Sequence, residues 1–490
     1  MKVHYIITTG FSILLSFFFF VFLEDISFPW VDECQTSDAA ITLVKSGIID
    51  SHVSGVPSFS FYTTVLAGWY WLFGISHTAT CSLELLFALL TYLSLLYCFY
   101  KWESLCKPLS LYIFTLLYWI CFNMPALITM GRVDMAEAFI CVLIVYQLVE
   151  KRMGKGNIFL LLLWSTLLTF NSIYGIPYIF AIGVFVAFLP FDNIGYGKWR
   201  YLKESMPIVF VGFILGFGIG RIWDLCHGHF YHFLARQLSH IGSPDNGFFD
   251  RLLSSYLNDI PLLIMSSAII VVLLYKGVKF RSGAYMTFVF SLCIPLVMTI
   301  GGRYQGYYHW MSYLVAVPLF IYTIDRFLSP KVALALSAFL ILVGTYSTII
   351  HIDLQKEVRR GIGSKTQNNE LAKKIVDNLP NMAGENVIIN DLSLYYPLIS
   401  ADATLWYFFQ FALPFPQDSP NSNSDSWLSK VKSAVRSHDE PLIMFPPKGV
   451  FVLMDKSEKD YALNYLQSQK YDYKVKVVCN NYWVISFVSK

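Results

Sequence analysis

Long apolar runs broken by short polar turns fill most of the first 350 residues. They lie at about 5–23, 59–76, 79–100, 108–126, 133–149, 157–173, 174–190, 206–225, 257–275, 283–300, 308–325 and 332–350. A membrane helix needs about 20 apolar residues, so each run is a candidate crossing. The first is followed by "LEDISFPW", which lacks a small-residue cleavage site. It reads as a retained helix or signal anchor rather than a removed leader. Beyond about residue 351 the pattern changes. "KEVRRGIGSKTQNNELAKKIVDNLPNMAGEN" is polar and helix-like, and "VIINDLSLYYPLI" reads as a strand entering a turn or helix. "GVFVLMD", "KSEKDYALNYLQSQK", "YDYKVKVVC" and "YWVISFVS" then predict strand, helix, strand, strand.

The placement of basic residues tests which runs cross, because they collect in cytoplasmic loops. Suppose 59–76, "FSFYTTVLAGWYWLFGIS", lies along the outer surface. The inner loops then hold Lys2, Lys101, Lys107, Lys151, Arg152, Lys155, Lys198, Arg200, Lys203, Lys276, Lys279, Arg281, Arg326 and Lys331. The outer loops keep only Lys45, Arg132, Arg236, Arg251 and Arg303. If 59–76 crosses instead, every later loop changes side and the bias reverses. The run is therefore expected to be interfacial or re-entrant, with Trp69, Tyr70 and Trp71 suited to headgroup depth. Eleven spans follow, with the N-terminus cytoplasmic and the C-terminal part outside.

Composition agrees. The chain of 490 residues is 56% hydrophobic and only 14% charged, against about a quarter charged in soluble domains. A net charge of +3, with no basic cluster interleaved with aromatics, gives no reason to expect a nucleic-acid partner. Cys81, Cys98, Cys121, Cys141, Cys226 and Cys293 sit in apolar runs without metal-ligand spacing and read as small buried hydrophobes. No Asn-x-Ser/Thr acceptor occurs, which fits a bacterial inner (plasma) membrane. The expected class is a polytopic α-helical membrane protein. Residues 1–350 form the transmembrane domain, with 24–78 as the first outer loop, and 351–490 form an extracytoplasmic α/β domain.

Ionisable groups gather on the outer side of this arrangement. The first loop carries Asp32, Glu33 and Asp38; "MPALITMGRVDMAEAF" places Arg132 and Asp134 at the start of a span. "TIGGRYQGYYHW" places Arg303, Tyr304, Gln305 and His309 before a later one. Charge at membrane depth is costly unless it is paired or lines a wet cavity. The plain alternative is that Arg132 and Asp134 only pair, and that Arg303 snorkels to headgroups. Arginine matches phosphate oxygens with a planar fork, and a carboxylate can take a proton from a hydroxyl. Together they suit displacement of a lipid phosphate by an acceptor hydroxyl.

These same stretches resemble a family. "DECQTSDAAITLVKSG" is similar to the first-loop motif of GT-C fold glycosyltransferases, especially protein O-mannosyltransferases and lipid A aminoarabinose transferases. "VPSFSFYTTVLAGWYWLFGIS" resembles the proline-led surface helix of that branch. "GRVDMAEAF" resembles its second-loop element, and "GGRYQGYYHWMSYLVAVPL" its late Arg-Tyr element. The resemblance implies a GT-C fold of about 11 transmembrane helices, with interfacial helices in the first outer loop. It also implies transfer of a sugar, with inversion, from a polyprenyl-phosphate-linked donor to a lipid, glycan or protein acceptor. By that resemblance Asp32 is the general base, with Glu33 supporting it. Asp134 faces Asp32, orienting the acceptor or sharing a divalent cation with it. Arg303 binds the leaving phosphate, with Arg132, Tyr304 and His52 as further donor-phosphate contacts. His52 is the nearest basic candidate because the branch's usual lysine before a Pro-Pro pair is missing here.

Two weaker signals remain. His227, His229 and His232 offer a His-x-His metal pattern without an acidic partner. "GFILGFGIG" spaces its glycines for close helix packing. A transporter or lipid flippase without transferase activity is the alternative. That class predicts charges or broken helices near mid-bilayer and often a repeat, whereas here charges sit at span ends. A non-catalytic scaffold whose C-terminal domain binds a partner is the third reading.

Overall fold

The computed structural model describes residues 2–26, 31–51, 59–101, 107–121, 124–129, 131–149, 155–172, 198–228, 259–277, 310–362, 369–407, 446–454, 456–478 and 482–490, with isolated positions 29, 53, 178, 182 and 230. The helical part comprises α1 (Lys2–Ile26), α2 (Val31–Ser46), α3 (Phe61–Phe73), α4 (His77–Lys101), α5 (Pro108–Cys121), α6 (Met124–Ile128), α7 (Asp134–Val149) and α8 (Lys155–Asn171). It continues with α9 (Lys198–Cys226), α10 (Ile260–Tyr275), α11 (Trp310–Phe327) and α12 (Pro330–Ile362). Among the described residues four helices are long and apolar enough to cross a membrane: Lys2–Leu23, His77–Lys101, Lys203–Cys226 and Pro330–Ile350. The spans expected at 174–190 and 283–300 fall outside the described residues, apart from positions 178 and 182.

The packing of α1 is what lipid requires. Ile6, Leu14, Phe17, Phe18 and Val21 point outward, while Thr8, Ser12 and Ser16 are buried along one face at i, i+4, i+8. Trp119 of α5 donates its indole N–H to Ser12 Oγ at 3.0 Å. Small hydroxyl residues let helices approach closely and satisfy polar groups across the seam. Tyr92 of α4 closes the same seam through Thr115 at 2.8 Å. Glycines serve α9 similarly. Any side chain at Gly212 or Gly216 would overlap α8, at Ser165 in the first case and at the Thr166 carbonyl in the second.

α3 takes up most of the run expected at the interface. Its 13 residues reach about 20 Å, short of the roughly 30 Å hydrocarbon core. Ser60 caps its start by accepting from the Thr63 N–H, and Gly74, at φ 83°, ends it. One face buries Tyr62, Thr63, Leu66 and Tyr70; Trp71, Leu72 and Phe73 are exposed.

After α12 come α13 (Asn369–Asp377), β1 (Asn386–Ile389), a 3-10 turn (Leu392–Leu394), α14 (Tyr395–Ser400), β2 (Thr404–Tyr407), β3 (Lys448–Leu453), α15 (Lys456–Ser468), β4 (Tyr471–Val478) and β5 (Tyr482–Ser489). The sheet order is β2-β1-β3-β5-β4. β1 pairs parallel with β2 and β3, and β5 pairs antiparallel with β3 and β4. β2 is an addition to the elements expected from the sequence. Alternating residues split the sheet into two faces. Ile388, Phe451, Leu453, Ile485 and Phe487 pack with Ala462 and Leu466 of α15. Val387, Ile389, Val450, Val452 and Val484 join the apolar cluster that continues into the membrane helices. The sheet thus rests on the helical part by one face.

Of the cysteines, Cys81, Cys98 and Cys141 are buried, as expected, and Cys34 is buried as well. Cys226 is exposed, because it ends α9 beyond the packed face.

Candidate active site

The Asp-Glu pair lies in the first turn of α2, where the helix dipole favours carboxylates. Asp32 occupies that turn, and Glu33 is fully buried. His77, the first residue of α4, places Nδ1 2.6 Å from Glu33 Oε1. Tyr396 of α14 donates its hydroxyl to the same oxygen, also at 2.6 Å. Glu33 Oε2 is buried without a hydrogen-bond partner. The first loop, the fourth helix and the C-terminal sheet region therefore meet on one carboxylate.

Tyr396 also heads a hydroxyl cluster. Its oxygen lies 2.8 Å from Thr80 Oγ1 and 3.2 Å from Ser37 Oγ, and Tyr70 reaches Thr80 at 2.5 Å. Burial, reinforced by the charge of Glu33, pushes the Tyr396 phenol well above its ordinary range, so it stays protonated and remains a donor. Beside it, Tyr395 donates to Asp38 Oδ1 at 3.2 Å. The other oxygen of Asp38 accepts from Ser51 Oγ at 2.9 Å and the Val53 N–H at 3.0 Å. Asp38 thus folds the chain after α2 back onto it. At the far end of α2, Lys45 donates to the Ile399 carbonyl and to Asp402, each at 2.9 Å.

The second outer-loop motif closes against the first. Gly131 adopts φ 58°, and a Cβ there would stand 2.5 Å from Glu33 Cγ; glycine meets both the left-handed backbone and the close approach. Next to it, Arg132 Nε pairs with Asp134 Oδ2 at 3.0 Å, and Trp310 donates to Asp134 Oδ1 at 3.3 Å. The plain pairing of Arg132 with Asp134 is thus realised, and both Asp134 oxygens are engaged.

Two acids lie deeper and carry no sequence expectation. Glu84 of α4 and Glu137 of α7 are fully buried. Both sit within the electrostatic reach of Arg132 and Asp134. Asn171 reaches Glu137 at 3.5 Å and accepts from the Tyr62 N–H at 2.9 Å, tying α8 to α3. An ionisable residue inside an apolar run was the signal available for both.

His52, Arg303, Tyr304, His229 and His232 lie outside the described residues. His227 is exposed and stacks on Trp223 at 4.4 Å. Cys81, read from sequence as a plain hydrophobe, instead lies 3.8 Å from both ring nitrogens of His77. Glu33, His77 and Cys81 bring one ligand atom each within 4.8 Å of one another. The overlooked signal was "HTATC", a His and a Cys one helical turn apart.

The chain matches no protein-family model, and no curated protein matches it in sequence. Solved structures do match. ArnT from Cupriavidus metallidurans bound to undecaprenyl phosphate superposes with a TM-score of 0.63 at 12% identity, over 97% of both chains. The apo state of the same protein gives 0.59 at 11%, again over 97% of both. The chain is an integral membrane protein with the GT-C fold of ArnT.

Proposed function

We propose that this protein is an inverting glycosyltransferase that moves a sugar from a polyprenyl-phosphate carrier to an acceptor hydroxyl or phosphate. The reading also takes residues 351–490 as an outer-face α/β domain standing on a transmembrane domain of residues 1–350 with eleven spans. The observation that carries it is the approach of Gly131 to Glu33, which joins two motifs about a hundred residues apart at one buried carboxylate. On the topology that the basic residues favour, this end of the helices faces the outer side of a bacterial inner membrane.

In this reading Asp32 takes the proton from the acceptor. The acceptor oxygen attacks the anomeric carbon as the bond from that carbon to the phosphate oxygen breaks. The carrier leaves as polyprenyl phosphate, which needs no proton, so a cation can serve as the electrophilic half of catalysis. Arg303 and Tyr304 are assigned to that phosphate, with His52 beside them. Arg132 is held by Asp134 and serves by fixing the second loop. Glu33, gripped by His77 and Tyr396, positions the turn that carries Asp32. Both the undecaprenyl phosphate in the ArnT structure and the lipid-facing apolar surface of α1 support a lipid-borne donor.

The test is Asp32→Asn in purified, folded protein supplied with its host's polyprenyl-linked lipid extract. Removing a general base costs about 100- to 10,000-fold in rate. Mass spectrometry of lipid retained by the variant is expected to find a polyprenyl-phosphate sugar. Undiminished transfer by Asp32→Asn would overturn the assignment.

A further inference from the structure

We propose that Glu33, His77 and Cys81 form a zinc site that staples the start of α2 to the first turn of α4. The ligand set is the first argument. A carboxylate, an imidazole and a thiol are the three side-chain types that zinc takes. With the thiol deprotonated their charges sum to minus two, so the bound ion would leave the buried site neutral. All three side chains are buried, where any net charge is most costly.

The geometry is the second argument. His77 and Cys81 stand one turn apart on the same face of α4, with sulfur 3.8 Å from each ring nitrogen. Tetrahedral zinc, with bonds of about 2.3 Å to sulfur and 2.0–2.1 Å to nitrogen, sets those two ligands about 3.6 Å apart. The Glu33 to His77 separation of 2.6 Å is a hydrogen bond that would open by under about 1 Å to admit the ion. The third argument is Glu33 Oε2, a carboxylate oxygen buried beside this trio with no hydrogen-bond partner. A bound cation supplies what that oxygen lacks. Three protein ligands would leave a fourth position for water or another donor.

The site differs from the Asp32–Asp134 pair and from the His227 loop, and it stands or falls independently of the transferase reading. The experiment uses full-length protein, freed of any affinity tag and purified without chelator. Elemental analysis is expected to give one zinc per chain in the wild type. Cys81→Ser and His77→Ala are expected to fall below about 0.2, with Cys98→Ser, on the same helix but away from the site, unchanged. Cobalt exchanged into the wild type is expected to show thiolate-to-metal charge-transfer absorption that Cys81→Ser lacks. Wild type without stoichiometric zinc after incubation and desalting would overturn the proposal, even if the variants fail to fold. Equal zinc in wild type and Cys81→Ser would mark an adventitious ion only and overturn it too.

Discussion

Tyr396 and Glu33 stand 363 residues apart in the chain, yet the tyrosine hydroxyl donates to the glutamate carboxylate at 2.6 Å. The C-terminal region thus reaches into the helical part with a phenol on the acidic pair's own carboxylate. Thr80, Ser37 and Tyr70 hold that phenol from the side. The sheet behind it is apolar-packed onto the helices through Val387, Ile389 and Val452, which fixes the reach of α14. A region that looks separate in sequence is in physical terms one wall of the site.

Tyr396→Phe keeps the ring and removes the donor. A hydrogen bond to a charged group is worth about 1.5–3 kcal/mol, so the variant is expected to unfold at a lower temperature in detergent. On the proposed function, transfer should fall about tenfold or more through kcal-scale loss of positioning, chiefly in kcat. An unchanged melt together with unchanged kcat would show that the contact does not position Glu33.

Gly131→Ala is expected to damage the site more than its size implies. The new methyl would meet Glu33 Cγ at 2.5 Å and Thr80 Cγ2 at 2.9 Å, on a backbone at φ 58°. Both the strain, roughly 1–3 kcal/mol for such a conformation, and the displacement act on the same carboxylate. Gly10→Ala, with open space around it, is the matched control. Equal thermal stability of the two variants would refute the close approach.

The parts of this architecture that follow from local pattern were legible in the sequence. Apolar runs long enough for a bilayer became α1, α4, α9 and α12. β2 was missed because "TLWY" is four residues with little alternation to read. In the site, Glu33, Arg132 and Asp134 stood out because charge at the end of an apolar run demands a reason. His77 and Cys81 did not, since a single histidine and cysteine inside such a run resemble core. Their meaning depends on Glu33, 44 residues away from His77. Nothing local marks Tyr396, whose role comes from a contact made only after the sheet has docked.

The glycines of α9 separate into two classes that substitution can tell apart. A Cβ at Gly216 would overlap the Thr166 carbonyl and the Thr169 hydroxyl, whereas Gly218 and Gly220 have nothing within 4 Å. Gly216→Val is expected to force α8 and α9 apart and to lower the yield of folded protein sharply. Gly218→Ala and Gly220→Ala are expected to behave as wild type or slightly better, since alanine favours helix by about 1 kcal/mol. Comparable loss at all three positions, read by size-exclusion of the detergent-solubilised protein, would argue against this packing.

Docking of the C-terminal region should carry an acid-sensitive component. Lys45 holds the Asp402 carboxylate below its usual range by hydrogen bond and charge, and both groups are partly or largely exposed. A depressed folded value means the unfolded carboxylate binds protons first, near pH 3.9. The contribution is therefore complete above that pH and is lost as pH falls through the lower, folded value. Because the pair is exposed, it is also screened by salt. Asp402→Asn should speed hydrogen exchange in α14 modestly at pH 7 and low salt. The difference from wild type should fade below about pH 4, and in about 1 M salt. A difference that persists in high salt, or grows on acidification, would mean that Asp402 acts through something other than its charge on Lys45.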